Sequence, residues 1–248
     1  MVTDPTTTAY MTAIGNAIVL LPLGLIALNF YALALVVARG PVFHTRIYKP
    51  MILNIGLSLT PALVAALTLI TMVIVGGATG GGWPVVATIV VGGIIWLLLL
   101  PNAAYLVTEL NFSHRRDGEN VPLWYDIMLV LTLAMSGVLN TLANVAIAQL
   151  IYTAFTTPSM DDYSTAVGPW IFTVVVMVAV AFGIYLGRYI RFNSWDLAHL
   201  VGFVRKLVGH FRLAANARAA AGFVLTHTLF LALLYAIVVA PWLLVFIA

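Results

Sequence analysis

The chain has 248 residues, 63% of them hydrophobic and only 8% charged, with a formal charge of +3. A water-soluble surface of that size needs far more charge, so the composition describes an integral membrane protein and argues against nucleic acid as a partner. The absence of cysteine excludes disulfides, iron–sulfur clusters, thiolate metal sites and cysteine nucleophiles.

The first apolar run, about residues 12–38, is preceded by MVTDPTTTAY, without lysine or arginine, and followed by Arg39, Arg46 and Lys49. A secretory signal has the opposite charge order, so this run reads as a retained span with its amino terminus outside. The second span, about 51–75, leads into GGATGGGWP at 76–84. That stretch lacks the Lys-Ser/Thr ending of a phosphate-binding loop and reads as a tight connection. The third span, about 85–109, ends in LPNAAYLVTEL, and Arg115 and Arg116 follow it. On a helix Asn102, Tyr105 and Glu109 share one face at i, i+3 and i+7, just after Pro101 has removed a backbone donor.

The fourth span, about 123–155, opens in VPLWYD. Asn120 suits a cap, Pro122 the first turn, Trp124 and Tyr125 the interface, and Asp126 enters the membrane edge. Deeper in this span Asn140 and Asn144 are one turn apart, with Thr141 beside them and Gly137 admitting a close neighbour. Interhelical hydrogen bonding and a polar outward pathway both account for that pattern. The fourth loop bears Asp161 and Asp162, read as solvated. The fifth span, about 167–189, carries Gly183 and Gly187, suited to close helix contact, and ends in GRYIRFNSWD, with Arg188 and Arg191 three apart. Beyond it Leu197, Leu200, Val201, Val204, Leu207, Val208 and Phe211 form one apolar stripe, with Arg205, Lys206, His210 and Arg212 off it. The stripe predicts an amphipathic helix lying in the membrane interface, with Arg205, Lys206 and Arg212 on anionic lipid headgroups, or else a connector packed on the bundle. The sixth span covers about 220–247, and its His227 reads as a packing residue or a proton relay.

All 11 lysines and arginines fall in the first, third and fifth loops. The positive-inside rule then places those loops in the cytoplasm and both termini outside. The expected fold is all-α: one polytopic domain over 1–248, a bundle of six transmembrane helices with one interfacial amphipathic helix between spans 5 and 6.

Acids from two spans and arginines from a third converge on one membrane depth. Asp126 near a helix amino terminus and Arg188 near a carboxyl terminus are each stabilised by about 0.3–1 kcal/mol. Glu109 has the wrong sign for its helix end, and an intramembrane carboxylate costs on the order of 2.5–3.5 kcal/mol near the centre, less toward the interface. It therefore calls for a cation, Arg188 or Arg191, with Arg115 or Arg116 as the exposed alternative. Such ions either pair to fix packing, or Arg188 and Arg191 hold a phosphate or carboxylate while Glu109 and Asp126 orient them. The candidate binding set is Asn102, Tyr105, Glu109, Asp126, Arg188, Arg191, Asn193 and Asp196. No cofactor and no metal is implied: His44, His114, His199 and His210 lack pair spacing, and His227 has no facing histidine.

LPNAAYLVTEL, PLWYD and GRYIRFNSWD, in this order and spacing, resemble the bacterial multi-pass membrane family catalogued as domain of unknown function 1361. The resemblance spans roughly residues 95–200, implies a bacterial cytoplasmic (inner) membrane location, and carries no catalytic role. That family favours Asp at the position of Glu109, often with His soon after, whereas Asn111 and Phe112 follow here, which argues against a histidine-dependent site. The leading functional expectation is binding or transport of a small anionic or lipid-linked solute at the cytoplasm-facing Glu/Asp/Arg pocket. Two others stand beside it: an enzyme acting on a lipid headgroup with Glu109 or Asp126 as general base, and a non-catalytic subunit of a membrane complex.

Overall fold

The computed structural model describes residues 5–107, 119–157, 166–190 and 200–247, and among them every regular element is helical. Six helices are long and apolar enough to cross a membrane. Within hydrocarbon a helix satisfies all its own backbone groups, which is why runs so poor in charge adopt this form. In chain order the elements are α1 (Pro5–Phe43), α2 (Lys49–Thr79), α3 (Trp83–Ala104), α4 (Leu123–Thr156) and α5 (Gly168–Tyr185). A π-helical turn, Leu186–Ile190, extends α5, and α6 (Leu200–Phe211), α7 (Ala214–Val238) and α8 (Ala240–Ile247) complete the chain.

α4 is the central helix. Its most apolar window is 72% buried, against 6% for that of α2, which lies on the periphery. The polar side chains of α4 face inward: Thr132, Ser136, Asn140, Thr141, Asn144 and Gln149 are all buried. Ser136, Asn140, Thr141, Asn144 and Gln149 find hydrogen-bond partners inside the bundle, as when Thr141 Oγ1 donates to the Gly137 carbonyl at 2.8 Å. One apolar cluster joins α3, α4, α5 and α7 around Leu100, Leu142, Met177, Val180 and Leu231. A second joins α1, α2 and α4 through Ala32, Val36, Met51, Leu129 and Leu133, with Leu106 from just beyond α3.

Glycine sets the closest approaches. In the α2–α3 connection Gly80, Gly81 and Gly82 all have positive φ, a backbone that glycine adopts without strain, and the Gly80 N–H caps α2 by donating to the Gly76 carbonyl at 2.9 Å. A Cβ at Gly183 would collide with the Pro101 ring, one at Gly187 with the Tyr105 hydroxyl, and one at Gly137 with Leu106 and the Ala103 carbonyl. The end of α3 is thus wedged between α4 and α5, as the small residues at those three positions predict.

Three boundaries differ from the sequence reading. α1 runs to Phe43, so Arg39 belongs to the helix and not to the loop after it. α3 closes at Ala104 and tightens into 3-10 geometry over 105–107. The last apolar stretch starts earlier, at Ala214, and breaks at Val239 into α7 and α8. Pro241 accounts for the break, because it lacks the N–H that would bond back one turn and its ring opposes the carbonyl there. The amphipathic segment is helical over α6, with Val201, Val204 and Val208 exposed and Phe203, Leu207, His210 and Phe211 half-buried. Leu197 lies outside the described residues.

Candidate functional site

Arg39 stands in the last turns of α1, only 4% exposed. Its Nε donates to Asp126 Oδ1 at 2.9 Å, its Nη2 to Glu119 Oε2 at 2.7 Å, and its Nη1 to Thr45 Oγ1 at 3.3 Å. The Thr45 hydroxyl donates in turn to the Arg39 carbonyl at 3.1 Å, in the turn that reverses the chain after α1. Asp126 is fully buried in the first turn of α4, where the helix dipole favours a carboxylate. Next to it Tyr125 donates its hydroxyl to the Leu35 carbonyl at 2.8 Å and meets Phe43 edge-on. Desolvating such a charge is costly, and a guanidinium shared between two carboxylates offsets that cost. This arrangement locks α1 to the start of α4.

The anticipated binding set divides. Asp126 meets Arg39, which the sequence reading had treated as a loop cation. Tyr105 lies against Gly187 at the α5 end, and half-buried Asn102 is one turn before it. Arg188 follows Gly187 inside the π turn with its side chain exposed, and both ion pairs among the described residues belong to Arg39, not to it. Leu106, the neighbour of Tyr105, packs with Leu129, three residues along α4 from Asp126, so Tyr105, Arg188 and the Arg39 lock occupy the same end of the bundle. Glu109, Arg191, Asn193 and Asp196, with Arg115 and Arg116, lie outside the described residues, as do Asp161, Asp162, His114 and His199.

A neutral polar network occupies the middle of the spans. Asn29 and Asn140 exchange amide hydrogen bonds of 3.0 Å in both directions, and Asn140 Nδ2 also donates to Ser58 Oγ at 3.1 Å. Asn144 donates to the Asn140 carbonyl at 2.8 Å and accepts from Trp96 Nε1 at 3.1 Å. One network thereby ties α1, α2, α3 and α4 together. Farther along α4, Tyr235 of α7 donates to Gln149 Oε1. The interhelical bonds expected of Asn140 and Asn144 are present; their partners Asn29 and Ser58 went unanticipated, although a polar residue within an apolar span was signal enough.

Two histidines act locally. His227 stacks on Phe223 at 3.7 Å, with its Nδ1 2.9 Å from the Phe223 carbonyl. His210 at the end of α6 has Nε2 2.8 Å from the Tyr185 hydroxyl, while Asn216 Nδ2 donates to the His210 carbonyl at 2.9 Å. Among the described residues no three His, Asp or Glu side chains group to hold a metal ion.

Residues 53–234 match a family described as protein of unknown function (DUF1361), a longer stretch than the three motifs alone cover. Neither a curated protein nor a solved structure matches the chain.

Proposed function

Starting from a chain that belongs to the DUF1361 family, we propose that it binds or transports a small anionic or lipid-linked solute at the bundle end where α1, α3 and α5 stop and α4 begins. Arg188 supplies the anion contact in this reading. Tyr105 and Asn102 flank it, and Glu109, Arg191, Asn193 and Asp196, close by in sequence, complete the proposed pocket. The observation that carries the reading is the contrast between two arginines. Arg39 is buried and committed to two carboxylates and a threonine, whereas Arg188 is exposed on a π turn, a local geometry that recurs at functional sites. Asp126 and Glu119 then serve as a frame that fixes the pocket's outer wall.

By the same proposal this end faces the cytoplasm of a bacterial inner membrane, with both termini on the opposite side. α6 lies in the interface, its exposed valines among acyl chains and Arg205, Lys206 and Arg212 on anionic headgroups. Binding of short-chain phosphatidate or inorganic phosphate to the purified protein tests the site. Arg188→Ala and Arg191→Ala should each weaken it by about 2 kcal/mol or more, roughly 30-fold. Unchanged affinity in both variants would remove the proposal.

A further inference from the structure

A cavity of about 650 Å³ lies between α1, α2, α4 and the α7–α8 junction, lined by apolar side chains except at its floor. Along α1 it runs from Leu20 to Leu33, about 20 Å at 1.5 Å per residue. Its rim residues Leu20, Ile26, Phe30 and Leu59 are exposed, so it opens sideways onto the apolar face of the spans. Trp242 of α8 and Leu150 of α4 stand at the Leu20 end. At the floor Asn29, Asn140 and Ser58 turn their polar atoms onto one another, and Asn140 is midway along α4. The groove thus extends from one membrane face to near the middle of the spans, away from the Arg39 end.

We infer that this groove is a binding site for one hydrocarbon chain of a membrane lipid, entering from the leaflet on the Leu20 and Trp242 side and ending on the asparagine floor. Three observations select that occupant. The opening is continuous with the lipid-facing surface. The depth from Leu20 to the Asn29 floor, about 14 Å at 1.5 Å per residue, is close to the roughly 15 Å of one leaflet, half of a 30 Å hydrocarbon core. The walls are apolar apart from Asn29, Ser58, Asn140 and Asn144, a lining that suits hydrocarbon. The size also falls within the range of small-molecule sites, whose walls are mainly apolar. The paired amides satisfy each other, so the floor accepts a chain terminus without leaving a polar group stranded. The site is separate from the pocket at Arg188.

Photolabelling tests the inference. The full chain is reconstituted in phosphatidylcholine nanodiscs doped with a phospholipid that carries a diazirine at the end of one acyl chain. Label should concentrate on Ala62, Ala143 and Ile147, roughly tenfold above Leu67 and Val73 on the outer face of α2, a preference of about one factor of ten in occupancy. Ala143→Trp, which fills the groove, should remove that excess and leave Val73 labelling unchanged; Ala62→Phe does the same from the opposite wall and serves if the first variant misfolds. Arg188→Ala should leave the pattern intact, so loss of anion binding and loss of chain binding are separable. Even labelling over all exposed apolar residues, an excess that survives both filling variants, or a groove that stays unlabelled while copies of the chain cross-link through Phe30 would overturn the inference.

Discussion

Arg39 and Arg188 stand near the ends of α1 and α5 at the same end of the bundle, yet among the described residues only Arg39 is held by carboxylates. Arg39 is buried against Asp126 and Glu119; Arg188 is exposed on the π turn. The difference teaches that an arginine at a span end is informative only once its partners are known. A cation whose donors are taken by fixed carboxylates holds helices together, and one left facing outward is available to a ligand.

The sharpest way to break the comparison is to remove each arginine in turn and follow thermal unfolding in detergent. Arg39→Ala takes the guanidinium from beside a fully buried carboxylate and should cost about 3–5 kcal/mol, whereas Arg188→Ala should stay within about 0.5 kcal/mol. Equal losses would place both residues in the same structural class. A second contrast comes from the contact that positions Arg188. Gly187→Ala drives a methyl into the Tyr105 hydroxyl and should cost about 1–3 kcal/mol, and Tyr105→Phe, which removes the nearest atom, should recover part of it. A neutral control follows at the middle of the membrane. Asn140→Leu removes the paired amide and the Ser58 bond, at about 0.6–2 kcal/mol per bond, and a cycle with Asn29→Leu should reveal coupling. Coupling near zero would mean that the two amides do not act as a pair.

Much of this architecture is legible along the chain because hydropathy is local. Six apolar segments, the glycine connection before Trp83, the close-contact roles of Gly137, Gly183 and Gly187, and the helical stripe of α6 each depend on residues near one another in sequence. The Arg39 lock was not legible for the opposite reason. A cation at the end of a span has the same sequence whether it faces water or a carboxylate more than eighty positions later, and the Arg39–Asp126 bond spans 87 residues. The same holds for Asn29 and Asn140, which are 111 apart. Asp126 reads in the sequence as a carboxylate stabilised at a helix start, with no sign that a buried arginine faces it, and periodicity gives no direction in which to find that partner.

The smallest expected effect concerns how α6 is held, and it separates protein contacts from lipid contacts. The end of α6 is tied to the bundle by His210 Nε2 at the Tyr185 hydroxyl and by Asn216 at the His210 carbonyl, while Val201, Val204 and Val208 face outward. Tyr185→Phe deletes the hydroxyl and keeps the ring, which stacks on Tyr189 at 4.6 Å, so the loss should be only about 1 kcal/mol. Hydrogen exchange resolves that change locally, because weakly held elements open independently of the core. In detergent, amides of residues 200–211 should exchange several-fold faster in the variant, in proportion to the lost bond, with the α4 amides unaffected. In bilayers containing anionic lipid the difference should shrink if, as proposed, the exposed valines and Arg205, Lys206 and Arg212 engage the membrane. An undiminished difference would show that the bundle alone anchors α6 and that its valines gain nothing from the membrane.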